Sequence, residues 1–206
     1  MLDRLTPLKE IGEQQLSYRW AQNAFGTHWR HADLLTTLAA AAYLIQPRTY
    51  LEIGVWRGRS TAVVGTMSPT CAIYGFDLWI PDYAGMPNPG PDFVRNELQS
   101  MGYRGELTLI SGESKRTLPA LLREHPELYF DMITIDGDKS IPGAGSDFAH
   151  ALPRLKIGGV VVCDDVPAFF GSTRVWDRVI RQDRRYVSWE FADRRYGVAA
   201  AIRISD

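Results

Sequence analysis

Two acidic clusters stand out in the 206-residue chain. Ile135-Asp136-Gly137-Asp138-Lys139 and Cys163-Asp164-Asp165 each end a short apolar run. If those runs are neighbouring strands, Asp136, Asp164 and Asp165 share one rim. Carboxylates crowded in a partly apolar cleft repel one another and stay ionised only beside a compensating cation. Oxygen-only donors suit a hard ion, Mg²⁺ first and Ca²⁺ or Mn²⁺ next. The competing reading makes one or two of these aspartates helix caps that face water.

A second group is Leu51-Glu52-Ile53-Gly54-Val55-Trp56-Arg57-Gly58-Arg59-Ser60. Gly54 and Gly58 flank a turn from strand into helix. This is not the dinucleotide fingerprint, because Trp56 stands where the second glycine must admit a pyrophosphate. A smaller nucleoside ligand is favoured, and an NAD-linked oxidoreductase is disfavoured. Glu52 suits a cationic ligand group such as the amino group of a methionyl moiety. Ser60 could cap the helix or meet a ligand carboxylate at the helix N-terminus. The bland reading is a tight turn with no ligand. Gly75-Phe76-Asp77 ends the next apolar run, and the Asp77 carboxylate can accept both hydroxyls of a ribose or simply cap a helix. Ser111-Gly112-Glu113-Ser114 offers small polar residues that could border an adenine.

These residues need elements to position them. Short apolar runs occur at Tyr50–Ile53, Ile73–Phe76, Leu107–Ile110, Met132–Ile135 and Val160–Cys163. Helical patterns alternate with them: one from about Ser60, then Asp92–Met101, Arg116–Glu124 and Ser146–Leu155. Strands alternating with helices predict βαβ units and a parallel, doubly wound sheet with helices on both faces. Such sheets bind ligands beyond the carboxyl ends of their strands, where all these motifs fall. Residues 30–46 are rich in Ala and Leu and are stopped by Pro47, which predicts a further helix. After a helical stretch at Ser172–Gln182, Tyr186–Phe191 and Val198–Ile204 form an expected antiparallel hairpin. Trp79–Asp92 carries four prolines and two glycines. It predicts a loop, either a wall over a substrate or a rigid surface excursion.

Composition sets the outer bounds. The length suits one domain, with residues 1–46 a helical cap and 47–206 the core. With 23 basic and 24 acidic side chains the formal charge is -1, which argues against bulk electrostatic binding of nucleic acid. Cys71 and Cys163 each sit in an apolar run and read as reduced, buried thiols. The first residues are polar, without a signal-peptide stretch, and the longest apolar segment, Leu38–Ile45, is too short to cross a bilayer. A cytoplasmic location follows as the expectation. His28 and His31, three apart near the start of a helix, could face the pocket but are more ordinary as structural or exposed residues. Arg174, Arg178 and Arg181, with Asp177 interleaved, read as a solvated helix face.

Taken in order, YLEIGVWRGRS, GFDLW, FDMITIDGDKS and LPRLKIGGVVVCDD resemble the class I S-adenosylmethionine-dependent methyltransferases, over roughly Tyr50 to Ile204. Within them the chain resembles the metal-dependent catechol-type O-methyltransferases and a related bacterial group with an Asp-Gly-Asp-His-Ser stretch. That resemblance implies a Rossmann-like, mostly parallel seven-stranded sheet in the order 3-2-1-4-5-7-6. It implies that Glu52, Gly54, Trp56, Gly58 and Ser60 lie at the methionine end of the cofactor, with Asp77 on the ribose and Gly112 and Ser114 near the adenine. Asp136 would lie between cofactor and metal, and Asp136, Asp164 and Asp165 would hold Mg²⁺. Lys139 would take the place of the base, where the bacterial group more often has histidine. A nearby divalent cation and a partly dry site would depress its pKa; the plainer reading is a solvated lysine opening a helix. The implied reaction is O-methylation of a small hydroxylated acceptor, shaped by the 79–92 loop and Phe169-Phe170. The alternatives are a metal-independent N- or O-methyltransferase, and a non-catalytic nucleoside-binding protein on the same fold. A homodimer is the default expectation for assembly.

Overall fold

A computed structural model describes residue 23 and residues 32–167, 171–192 and 196–206. The first helix, α1 (Leu34–Ile45), is started by Asp33, whose carboxylate accepts the Thr36 N–H at 2.8 Å while the Thr36 hydroxyl accepts the Asp33 N–H. That reciprocal cap satisfies two end donors at once. The helix ends at Gln46, directly before Pro47. Then β1 (Thr49–Ile53), α2 (Arg59–Met67), β2 (Ala72–Asp77), α3 (Pro91–Ser100), β3 (Leu107–Ser111), α4 (Ser114–Glu124), β4 (Phe130–Ile135), α5 (Ile141–Ala151) and β5 (Leu155–Asp164) alternate as the sequence predicts. They are followed by α6 (Gly171–Trp176), a π-helical turn at Asp177–Arg181, and the hairpin strands β6 (Tyr186–Phe191) and β7 (Val198–Arg203).

The sheet has seven strands in the order β3-β2-β1-β4-β5-β7-β6, as expected. The first five are parallel, while β7 runs antiparallel to β5 and β6 antiparallel to β7. Side chains alternate across it. Leu51 and Ile53 pack on one face with Leu118, Phe148 and Trp176 of α4, α5 and α6. Tyr50 packs on the other with Leu38, Val63 and Val94 of α1, α2 and α3. Both faces of the parallel strands are therefore covered, which is why their runs are almost wholly apolar. Cys71 and Cys163 are free and buried, as the sequence suggests. Among the described residues no helix is long and apolar enough to cross a membrane.

Two boundaries differ most from the sequence reading. Helix α5 begins at Ile141, not Ser146. The stretch Ile141-Pro142-Gly143 looks like a breaker, but proline is tolerated in a first turn and the Ser140 hydroxyl accepts the Gly143 N–H at 3.1 Å. Strand β5 begins at Leu155, not Val160. Leu155 pairs with Phe130 before a register shift, and Gly158, with φ +79°, lets the strand bend there.

The strand ends are what position the site. Ile53 lies level with Phe76 on one side and Ile135 on the other, and Ile135 lies level with Cys163. The ladder runs one step past the strands, through the Gly54 N–H to Phe76 O and the Asp136 N–H to Ile53 O, both 2.8 Å. Gly54, Asp77, Asp136 and Asp164 are thereby brought to one rim.

Candidate active site

A cavity of about 520 Å³ opens at that rim. Gly54 and Trp56, Asp77, Gly112 and Ser114, and Asp136 and Lys139 all line it. Gly54 is required on two counts. Its φ is +91°, and a Cβ would sit 2.2 Å from the Asp136 carbonyl oxygen. The β1–α2 turn then runs through Trp56 at φ 48° and Gly58 at φ 73°. A tryptophan in left-handed backbone is uncommon and persists only where its surroundings fix it. Here the Asp77 carboxylate fixes it, accepting the Trp56 N–H at 2.7 Å with one oxygen and the Trp79 N–H at 2.6 Å with the other. The Trp56 ring meets Tyr83 edge-on at 6.0 Å, and the Arg59 guanidinium lies 5.4 Å from its centre. Leu78, Ile80, Tyr83 and Asn88 line the cavity, so the proline-rich segment supplies part of its wall.

Glu52, Gly58 and Ser60 do not line the cavity. Glu52 is fully buried, and the Thr61 hydroxyl donates to its Oε2. Its Oε1 has no partner among the described residues. Burial pushes the Glu52 carboxyl up to about 8, although the Ser60 and Thr61 hydroxyls pull it back. Gly58 caps α2, and a Cβ there would strike Val94 at 2.7 Å.

Oxygens of Asp136, Asp164 and Asp165 all lie within 4.8 Å of one another. The topology thus assembles the three aspartates that the sequence reading placed on one rim. Burial raises the Asp136 and Asp164 carboxyls, and repulsion within the cluster adds to it. Asp165 is held at φ 61°, another left-handed non-glycine residue. The Lys139 ammonium is drawn into this cluster, 2.6 Å from Asp136 Oδ1 and 3.2 Å from Asp165 Oδ2. Burial alone would lower its pKa, yet Asp136 and Asp164 overcome that and hold it above the ordinary lysine range. Lys139 is therefore neither a solvated helix-opening lysine nor, in this arrangement, a neutral base.

One residue escaped the sequence reading. Asp147 of α5 lies in the buried stripe Ala144, Asp147, Phe148 and Ala151 and accepts the Ser114 hydroxyl at 2.6 Å. The signal was available: a carboxylate at i+3 within an otherwise apolar helix face. His28, His31, Phe169 and Phe170 lie outside the described residues. Arg181 pairs with Asp177 and Glu190, at 3.4 and 3.8 Å, in keeping with a solvated face.

This geometry agrees with solved structures. A candidate O-methyltransferase from Klebsiella pneumoniae shares 20% identity, with a TM-score of 0.67 over 99% of this chain and 94% of that one. The O-methyltransferase from Bacillus cereus in complex with S-adenosylhomocysteine shares 20%, with 0.63 over 98% and 94%. The O-methyltransferase TomG from Streptomyces achromogenes, involved in tomaymycin synthesis and in complex with S-adenosylmethionine, shares 20%, with 0.63 over 98% and 92%. At such identity these establish the fold. No protein of curated function matches the sequence. The family assignment comes from residues 51–166, more than half of the chain and the span from β1 to just past β5, which match the methyltransferase domain. The chain belongs to the methyltransferase-domain family, with the class I fold and its cavity at the carboxyl rim of the sheet.

Proposed function

We propose that this methyltransferase uses S-adenosylmethionine to methylate a hydroxyl of a small molecule, with a hard divalent cation held by Asp136, Asp164 and Asp165. The observation that carries the reading is a single cavity lined both by Asp77, Gly112 and Ser114, which suit a nucleoside, and by Asp136 and Lys139, which suit an acceptor hydroxyl. The cofactor complexes of the Bacillus and Streptomyces proteins support it. So does the orphaned Oε1 of Glu52, a buried acceptor suited to an ammonium group behind Gly54.

Three all-oxygen donors with atoms within 4.8 Å of each other fit a Mg²⁺-like ion. When bound, such an ion supplies Lewis acidity toward the acceptor oxygen, and the sulfonium of the cofactor supplies the methyl group. The chain's own residues do the rest. Asp77 holds the ribose hydroxyls while keeping Trp56 in place. Gly54, Gly58 and Ser60 shape the turn around the methionine end. Ile80 and Tyr83 give the cavity an apolar wall against which an acceptor can lie. Lys139 Nζ, beside Asp136, is the group placed to orient the acceptor hydroxyl, and it would take that proton only as the neutral amine, once added positive charge at the cluster had lowered its pKa.

A second reading drops the cation, and Lys139 favours it, because its ammonium already bridges two of the carboxylates. Calorimetric titration with S-adenosylmethionine tests the shared part of both readings: no binding, with or without Mg²⁺, overturns them. Turnover on a panel of catechols and sugar hydroxyls then separates them. Loss of turnover in EDTA and its return with Mg²⁺ supports the first, while full turnover in excess chelator leaves only the second.

A further inference from the structure

Asp147 is a buried carboxylate that methyl transfer does not use. It is 2% exposed, its Oδ1 accepts the Ser114 hydroxyl at 2.6 Å, and its Oδ2 has no partner among the described residues. It comes this close to the rim because residue 137 is glycine, where a Cβ would meet Oδ2 at 2.8 Å. Ser114 lines the cavity together with Gly112 and Gly137. The pair joins a residue of the cavity wall to a carboxylate buried behind it.

An ionised carboxylate accepts hydrogen bonds and donates none. Burial raises Asp147, against the pull of the Ser114 hydroxyl, to about 6, so at neutral pH it is ionised. The single proton of the Ser114 hydroxyl is then committed to Asp147. What Ser114 offers the cavity is an oxygen with free lone pairs, made more basic by the bond behind it. A ligand group at that place gains if it donates and is repelled if it too can only accept.

We infer that the Asp147–Ser114 pair makes this end of the cavity select a nucleoside base that donates a hydrogen bond from an exocyclic amine over one that carries a carbonyl there. Asp147 is a positioning residue, since it acts through Ser114 and reaches specificity without touching the ligand. The inference rests on the proposed cofactor reading, with the base lying at Gly112 and Ser114.

The test compares S-adenosylhomocysteine with S-inosylhomocysteine, which replaces the exocyclic amine by a carbonyl. Both are titrated calorimetrically into the wild type, Ser114→Ala and Asp147→Ala. The wild type is expected to prefer the adenosyl ligand by about tenfold or more, the scale of one well-placed hydrogen bond. In both variants the preference is expected to fall below about threefold, because either no hydroxyl remains or its proton is free to turn. Loss of affinity for both ligands with the preference intact would make Asp147 merely structural and overturn the inference, as would a wild type without preference. Should Asp147→Ala fail to fold, Asp147→Asn takes its place, because its amide can donate to the Ser114 oxygen and turn the hydroxyl proton to the cavity, and a preference left intact in it overturns the inference. Binding of neither ligand by the wild type would overturn the cofactor reading itself.

Discussion

Glu52 sets stability against ligand binding, and Glu52→Gln exposes the conflict. Its carboxyl is fully buried, with one oxygen bonded to Thr61 and the other orphaned. Burial raises it from 4.5 to about 8. Between those values the folded protein keeps a proton that the unfolded chain has released, so stability falls as pH rises through that window and is least above about pH 8. At roughly 1.4 kcal/mol per unit the full penalty is about 5 kcal/mol above pH 8, and about 3 kcal/mol at pH 7. Glutamine keeps the volume and an acceptor for Thr61 without a charge to bury. The variant is expected to match the wild type near pH 5 and to exceed it by about 3 kcal/mol at pH 7. Urea denaturation of both proteins at pH 5, 6, 7 and 8 measures this, and the difference between the two curves cancels the other titrating groups. Cofactor affinity should move the opposite way, weakening about tenfold if an ammonium pairs with the Glu52 carboxylate. A stability difference that is flat with pH refutes the burial argument. Unchanged affinity for S-adenosylmethionine removes Glu52 from the ligand site.

Two further substitutions probe the rim. Gly54→Ala would drive a Cβ to 2.2 Å from the Asp136 carbonyl in backbone of φ +91°, and since neither atom belongs to a flexible side chain, a loss of about 3 kcal/mol or more is expected by thermal denaturation. Asp77→Asn leaves one oxygen for two backbone donors, Trp56 and Trp79; a loss of about 1–3 kcal/mol in denaturant, with weaker S-adenosylhomocysteine binding by calorimetry, is the expected result, and a variant equal to wild type in both would remove Asp77 from the turn and the ribose site.

The sequence shows the fold well because its signals are local. Apolar runs buried on both faces, each ended by Gly or Asp, mark the parallel strands, and the change to two adjacent runs after Gln182 marks the hairpin. Alternation alone then places Asp77, Asp136 and Asp164 at one end of the sheet, which is why the carboxylate cluster is legible before any coordinate. What stayed hidden depends on register and depth. Glu52 carries the acidic pattern of a ligand contact, but only its packing against Thr61 shows that it lies behind the cavity wall. Asp147 is more than thirty residues from Ser114, and nothing near either position announces the bond. The start of α5 was obscured because Pro142 and Gly143 read as breakers, whereas proline in a first turn loses no hydrogen bond.

On the proposed reading Lys139 is the residue on which the chemistry turns, and its i+3 spacing from Asp136 explains only half of its position. The other half comes from β5, which brings Asp164 and Asp165 alongside through the pairing of Ile135 with Cys163. One ammonium then faces three carboxylates. Its donors reach Asp136 Oδ1, Asp165 Oδ2 and the Asp164 backbone carbonyl at 2.6, 3.2 and 3.4 Å. The Asp164 carboxylate gains no hydrogen bond from it, and each carboxylate keeps lone pairs to spare. Burial raises Asp136 and Asp164, and the single positive charge of Lys139 does not offset that burial together with the repulsion inside the cluster. On the proposed reading, further positive charge from a divalent ion or the sulfonium of a bound cofactor would relieve that repulsion and loosen the hold on Lys139. The lysine that stabilises the ligand-free cluster as an ammonium would then be the group freed, as the neutral amine, to meet an acceptor hydroxyl.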